Sequence, residues 1–213
     1  KADQAMYQAK ADGSNTYRVV VPKEKEKTWE RGLYQELKAG LEHNDLYLEY
    51  QPIINLENEN LSGVEAFIRW NHPQHGVLYP SDFISFVRDK KLASVLGDWV
   101  VSQACTDMDF WKQHVNAFVD LSIHINVSGS QFLDNSLFAS MKKRIRDQRI
   151  APGKMYLDCL KQPFFEGRHQ ALECCKLYNN LGINLVLDDL QINLFNLNFL
   201  YNFQVIPFHM VKT

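Results

Sequence analysis

Acid and amide side chains recur where short apolar runs of this chain stop. Glu65 sits in Gly63-Val-Glu-Ala-Phe-Ile68, Asn126 ends Ile123-His-Ile-Asn126, Asp158 follows Tyr156-Leu157, and Asp188-Asp189 follow Leu185-Val-Leu187. Carboxylates and an amide carbonyl are hard oxygen ligands suited to Mg²⁺, Mn²⁺ or Ca²⁺. Like charges gathered on one rim repel unless a cation sits among them, and a two-acid step such as Asp188-Asp189 can bridge two ions. One acid at a strand end is usually solvated or caps the next helix. A row of them at successive strand ends points to a shared metal site.

The elements that must position this row alternate in type. Residues 28–43 read as a helix, apolar at Leu33, Leu37 and Leu41, after a charged linker at 22–27. Strands are expected at 46–54 and 63–70, divided by the turn-like Glu57-Asn-Glu-Asn60. Pro80-Ser81 opens a helix reaching about residue 90, with Ser81 as N-cap, and a longer helix covers 92–114. Strand 121–127, helix 136–148, strand 155–160, helix 168–181, strand 184–187, helix 194–203 and strand 205–211 follow. Strands such as Asn184-Leu-Val-Leu187 read as apolar on both faces, as in a parallel sheet covered by helices. Repeated strand–helix units with short connections predict an α/β fold, either a TIM-like (β/α) barrel or a doubly wound sheet. The absence of a glycine-rich phosphate loop after the first strands disfavours the dinucleotide-binding version. A final strand with no covering helix suggests a barrel truncated before its last strands.

Bulk properties narrow the function classes. The 213 residues are 46% apolar and 23% charged, which is globular composition. A net charge of −2 with a pI near 6.4 argues against a DNA binder or a protein held on an anionic membrane. No apolar run is long enough to span a bilayer. Cys105, Cys159, Cys174 and Cys175 form no C-x-x-C pair and read as reduced thiols of a cytoplasmic protein.

Ordered motifs then resemble one family, the EAL domains, which bind and hydrolyse cyclic di-GMP. Tyr50-Gln-Pro-Ile53 resembles its opening Y-Q-P-I strand, Glu65-Ala-Phe67 its signature, and Arg69-Trp-Asn-His-Pro73 the R-W-x-H-P continuation. Pro80-Ser-Asp-Phe-Ile84 resembles P-x-x-F-I, Leu96-Gly-Asp-Trp-Val100 and Gln103-Ala-Cys105 the next helix, Ile125-Asn-Val-Ser128 the I-N-V-S strand, and Asp188-Asp189 the D-D pair. Residues 2–10 and 13–15 resemble the end of a GGDEF domain, which commonly precedes an EAL domain. The implied organisation is a GGDEF-like tail at 1–22, a linker and connecting helix at 23–45, and an EAL-like barrel at 46–213. The resemblance implies Mg²⁺ or Mn²⁺ on Glu65, Asn126, Asp158, Asp188 and Asp189. It also implies dinucleotide contacts from Gln51, Phe67 (for the leucine), Arg69 and Pro80.

Departures from the family pattern concentrate around the metal row. The family glutamate at position 158 is an aspartate, about 1.5 Å shorter in reach. The intervening threonine is Leu160 and the next glutamate is Lys161, which could neutralise the acids in place of a metal. The loop expected as F-G-T-G-Y-S-S reads Leu190-Gln-Ile-Asn-Leu-Phe-Asn196, with no glycine for unusual backbone angles. The family's K-I-D falls on His209-Met-Val211, so a histidine, shorter and mostly neutral near pH 7, replaces the lysine that orients water. The acidic residue expected later in the Pro80 helix is Arg88. Losing one electrostatic group costs about 10²–10³ in rate. The residues expected to carry any catalysis are Glu65, Asp188, Asp189 and His209. The expectation is a degenerate EAL domain acting as a cyclic-di-GMP receptor with little hydrolysis. Its alternatives are a phosphodiesterase that opens cyclic di-GMP to pGpG and a nucleotide-free scaffold. EAL domains often dimerise near the altered loop, which leaves homodimer formation open.

Overall fold

A computed structural model describes residues 23–84, 87, 90–115, 120–147, 151–159, 168–187 and 206–207. In chain order the elements are α1 (Lys23–His43), β1 (Leu46–Ile54), β2 (Leu61–His72), β3 (Gly76–Leu78), α2 (Pro80–Phe83), α3 (Lys90–His114), β4 (Ser122–Val127), α4 (Gly129–Phe132), α5 (Asn135–Arg146), β5 (Met155–Cys159), α6 (Arg168–Asn180), β6 (Asn184–Leu187) and β7 (Ile206–Pro207). Helix α1 begins at Lys23, so most of the expected charged linker is helical; lysine and glutamate are good helix formers. The expected GGDEF-like tail, and the helix at 194–203, lie outside the described residues.

The strands form one mixed sheet in the order β1-β2-β4-β5-β6-β7, with β3 on the free part of β2. Strands β2, β4, β5, β6 and β7 are mutually parallel, as a (β/α) barrel requires, but β1 and β3 run antiparallel to β2. The fully parallel expectation is corrected for those two strands. The turn at residues 55–60 is too short for a crossover and closes β1 and β2 as a hairpin.

Register sorts the side chains into two sets. One face carries Val64, Ile123, Ile125, Val127, Met155, Leu157, Cys159 and Leu185, all buried in the main core, and the buried Ala66 beside them. Helix α3 covers it with Val101, Ala104, Cys105 and Met108, spaced i, i+3, i+4 and i+7, and α6 adds Ala171, Cys175 and Tyr178. A second cluster joins Leu33 and Leu37 of α1 to Leu46, Ile68, Trp70, Phe83, Leu92 and Leu96. The opposite face carries Gln51, Glu65, Arg69, His124, Asn126, Tyr156 and Asp158, in register across the strands. The expectation of strands apolar on both faces therefore fails for β2, β4 and β5. It holds for β6, where Leu185 and Val186 are both buried. Among the described residues, helices pack on the apolar face of the sheet.

Close approach between β2 and β4 depends on Gly63, where a Cβ would lie 2.2 Å from the Ser122 hydroxyl and 3.0 Å from its carbonyl oxygen. Any side chain there would displace the strand that carries Glu65. On the helix-covered side the Tyr50 hydroxyl donates to Asp107 Oδ2 at 2.5 Å and its ring meets Trp111 edge-on at 4.6 Å. Burial, then the bond to Asp107, pushes this phenol well above its usual pKa.

Candidate functional site

Glu65 is not at the end of its strand. The parallel ladder of β2 with β4 covers only Gly63 to Ala66, and β2 continues beyond it as a hairpin arm paired with β1 and β3. Glu65 thus stands near the end of the parallel portion, where a barrel rim lies. Asn126 donates through Nδ2 to Glu65 Oε1 at 2.7 Å, and Glu65 is 6% exposed. The amide nitrogen is committed to the carboxylate, which leaves the amide oxygen as the donor a cation would use.

The serine of the I-N-V-S run fixes where Asn126 sits. Ser128 caps α4: its hydroxyl accepts from the Gln131 N–H at 3.3 Å, and Gln131 Oε1 accepts from the Ser128 N–H at 3.0 Å. This reciprocal pair terminates β4 two residues beyond Asn126. Gln131 Nε2 also donates to the Ala93 carbonyl at 3.1 Å, which ties the cap to α3.

Asp158 lies in register with Asn126 on the same face and is 5% exposed. Its Oδ1 is 3.1 Å from Nδ1 of His124, itself 4% exposed. An ionised carboxylate only accepts, so Nδ1 carries the hydrogen. The His124 ring stacks on Tyr156, with centroids 4.3 Å apart and an interplanar angle of 10°. His124 escaped the sequence reading because it looked like one residue of an apolar strand. Its signal was position, two residues before Asn126 and hence on the same face.

Farther along β2, Arg69 forms the rim of the arm. Its Nε donates to Glu49 Oε2 at 2.7 Å and its terminal nitrogen to the Ile68 carbonyl at 2.9 Å. The guanidinium carbon lies 4.7 Å from the ring centre of Tyr79 and 5.6 Å from that of Phe67. The Arg69 side chain is 13% exposed, whereas its partner Glu49 is half exposed. Gln51 is opposite Glu65 in the β1–β2 register and exposed. The structure thus brings Phe67 and Arg69 together and sets Gln51 beside Glu65; Pro80 begins α2, directly after Tyr79.

The cap of α2 differs from expectation. Tyr79, not Ser81, is the N-cap, and the Asp82 carboxylate accepts from the Tyr79 N–H at 2.8 Å. Proline fits the first helical position because its missing N–H has no partner to lose there. His72, from the R-W-x-H-P run, is buried: Nε2 meets Glu36 Oε2 at 2.8 Å, and Nδ1 accepts from the Gln74 N–H at 3.1 Å.

Asp188, Asp189 and His209, with Arg88, Leu160, Lys161 and the 190–196 loop, lie outside the described residues. Glu65, Asn126 and Asp158 have the donor chemistry for Mg²⁺ or Mn²⁺. Among the described residues, no three His, Cys, Asp or Glu side chains converge as a metal site. No described helix is long and apolar enough to cross a membrane.

A mixed sheet with a helix-covered apolar face and an acid-and-amide face defines an α/β module of the barrel type. The EAL domain family model matches residues 34–212, and the chain belongs to that family. It is 30% identical over 189 residues to the bifunctional diguanylate cyclase/cyclic di-GMP phosphodiesterase MucR of Pseudomonas aeruginosa, covering 88% of this chain and 27% of MucR. It is 28% identical over 189 residues to the cyclic di-GMP phosphodiesterase PdeR of Escherichia coli, covering 88% of this chain and 28% of PdeR. The chain spans about a quarter of the length of these relatives. Among solved structures, the MucR phosphodiesterase in its c-di-GMP complex superposes with a TM-score of 0.74 at 27% identity, over 82% of this chain and 70% of that one. The c-di-GMP-bound EAL domain of FimX from Pseudomonas aeruginosa shares the fold, with a TM-score of 0.67 at 18% identity, over 80% of this chain and 67% of that one.

Proposed function

We propose that this chain is a cyclic-di-GMP signalling module that binds the dinucleotide as a receptor or regulatory domain and hydrolyses it little. The carrying observation is the Arg69 guanidinium held between Tyr79 and Phe67 on the rim. An oriented guanidinium pairs with phosphate, and aromatic planes receive guanine. Gln51 and Pro80 complete the binding set by family resemblance. Likeness to the MucR complex supports the same ligand.

Weak hydrolysis follows from the acids. Asp158 is one methylene shorter than the family glutamate. Lys161, the glycine-free loop from Leu190 and His209 depart further from the family pattern. Mg²⁺ or Mn²⁺ on Glu65, Asn126, Asp158, Asp188 and Asp189 is part of this reading, with reduced affinity. A module of this kind works in the cytoplasm, and residues 1–22 would join it to an upstream GGDEF domain.

Calorimetric titration with cyclic di-GMP, in EDTA and in Mn²⁺, followed by chromatography of the mixture, tests the proposal. Saturable heat in both buffers with intact dinucleotide is the expected result. Metal-dependent appearance of pGpG would establish the phosphodiesterase instead. No heat in either buffer would leave only a scaffold role.

A further inference from the structure

We propose that His124 is a positioning residue for the metal site: its imidazole fixes Asp158 so that the shortened carboxylate still presents an oxygen to a divalent cation. The inference rests on reading Glu65, Asn126 and Asp158 as metal-binding oxygens.

Four side chains on three neighbouring strands stand on one face as two hydrogen-bonded pairs in adjacent register. Glu65 is in register with His124, His124 bonds Asp158, Asp158 is in register with Asn126, and Asn126 bonds Glu65. All four lie on the same face of the sheet, and three of them are almost fully buried. In each pair the carboxylate has one oxygen tied to its neighbour, Glu65 through Oε1 and Asp158 through Oδ1. A carboxylate has a second oxygen, and it is this one that a cation would take.

The imidazole is itself braced. Tyr156 lies two residues before Asp158 on the same strand face and stacks flat on the His124 ring. Strand β5 therefore supplies both the plate that sets the ring plane and the carboxylate that receives its N–H. An N–H held against a ligating carboxylate is the outer arrangement that orients metal ligands, and its loss costs about 10–100-fold in metal affinity. Aspartate has fewer rotatable bonds than glutamate and cannot reach by rearranging. A fixed donor at Oδ1 determines where its other oxygen stands.

The test is Mn²⁺ binding by the whole chain, read from the electron paramagnetic resonance signal of the free ion. Thermal melts in EDTA run beside it, on wild type, His124→Ala, His124→Asn and Asp158→Asn. Asparagine places an N–H close to where the imidazole Nδ1–H lies. The expected result is an affinity loss of about tenfold or more in His124→Ala. His124→Asn should recover most of that loss, and His124→Ala should add little in the Asp158→Asn background, as groups acting through one another do. A His124→Ala protein that melts lower in EDTA yet binds Mn²⁺ like wild type would reduce the histidine to a packing partner and overturn the proposal. Tighter Mn²⁺ binding in His124→Ala would overturn it too, because the pair would then compete with the metal. If no variant binds Mn²⁺, wild type included, the metal reading of the row falls with the proposal. The cyclic-di-GMP titration in EDTA decides the receptor reading separately.

Discussion

The two faces of the sheet obey different rules although they share every backbone hydrogen bond. On the helix-covered face, neighbouring residues are interchangeable in kind: Ile123, Ile125, Val127, Leu157 and Cys159 all fill volume against α3 and α6. On the opposite face each residue has its own partner: Asn126 on Glu65, His124 on Asp158, Arg69 on Glu49. The first face specifies the fold and tolerates exchange of one aliphatic for another. The second specifies chemistry, and changing one member there alters the task of its partner. A family can therefore keep its fold while its site drifts.

Breaking the apolar face should have the largest effect. Leu157→Ala removes a fully buried side chain and should cost about 2–5 kcal/mol in denaturant unfolding, without selective loss of nucleotide binding in the folded fraction. On the other face, Glu65→Ala should abolish any Mn²⁺-dependent heat while sparing Arg69-mediated binding of cyclic di-GMP in EDTA, read by calorimetry. Arg69→Ala should weaken cyclic-di-GMP binding by about tenfold or more, the scale of a hydrogen bond to a charged group at about 1.5–3 kcal/mol. Arg69→Lys should recover only part of that binding, since an ammonium lacks the planar fork. Glu49→Gln should tighten cyclic-di-GMP binding only a few-fold, because its half-exposed ion pair with Arg69 is worth about 0.2–1 kcal/mol.

The helix-covered side also carries an alkaline sensitivity. The Tyr50 and Tyr178 phenols are raised above their usual pKa, burial being the main cause for each. Such groups stabilise the fold fully below pH 10 and lose that contribution as pH rises further, because the unfolded phenol ionises first. The thermal midpoint should fall above pH 10, less steeply in Tyr50→Phe.

Much of this organisation was legible in the sequence. Most described elements fall where periodicity places them, and β6 matches residue for residue. Glu65, Asn126 and Asp158 do share a face, because strand alternation fixes the side of each once the register is known. What escaped was whatever depends on a partner distant in sequence. His124 meets Asp158 across 34 positions and Arg69 meets Glu49 across 20, and neither pairing has a local signature. The reversed β1 was hidden for a similar reason: a strand's pattern records which residues face inward, not the direction in which it runs. The short β3 and the one-turn α4 were missed because three or four residues hold too little periodicity.

That reversal has a mechanical consequence. Because β1 runs against β2, its first residue pairs with Trp70, next to Arg69, and α1 is delivered to the rim end of β2. Glu36 of α1 reaches His72, and a Cβ on Gly40 would come within 2.9 Å of the Trp70 indole nitrogen. Displacement of α1 along its axis would load the strand that carries Arg69 through the cluster of Leu33, Leu37, Ile68 and Trp70. Helix α1 is therefore anchored within three residues of Arg69 on the same strand, at Trp70 and His72.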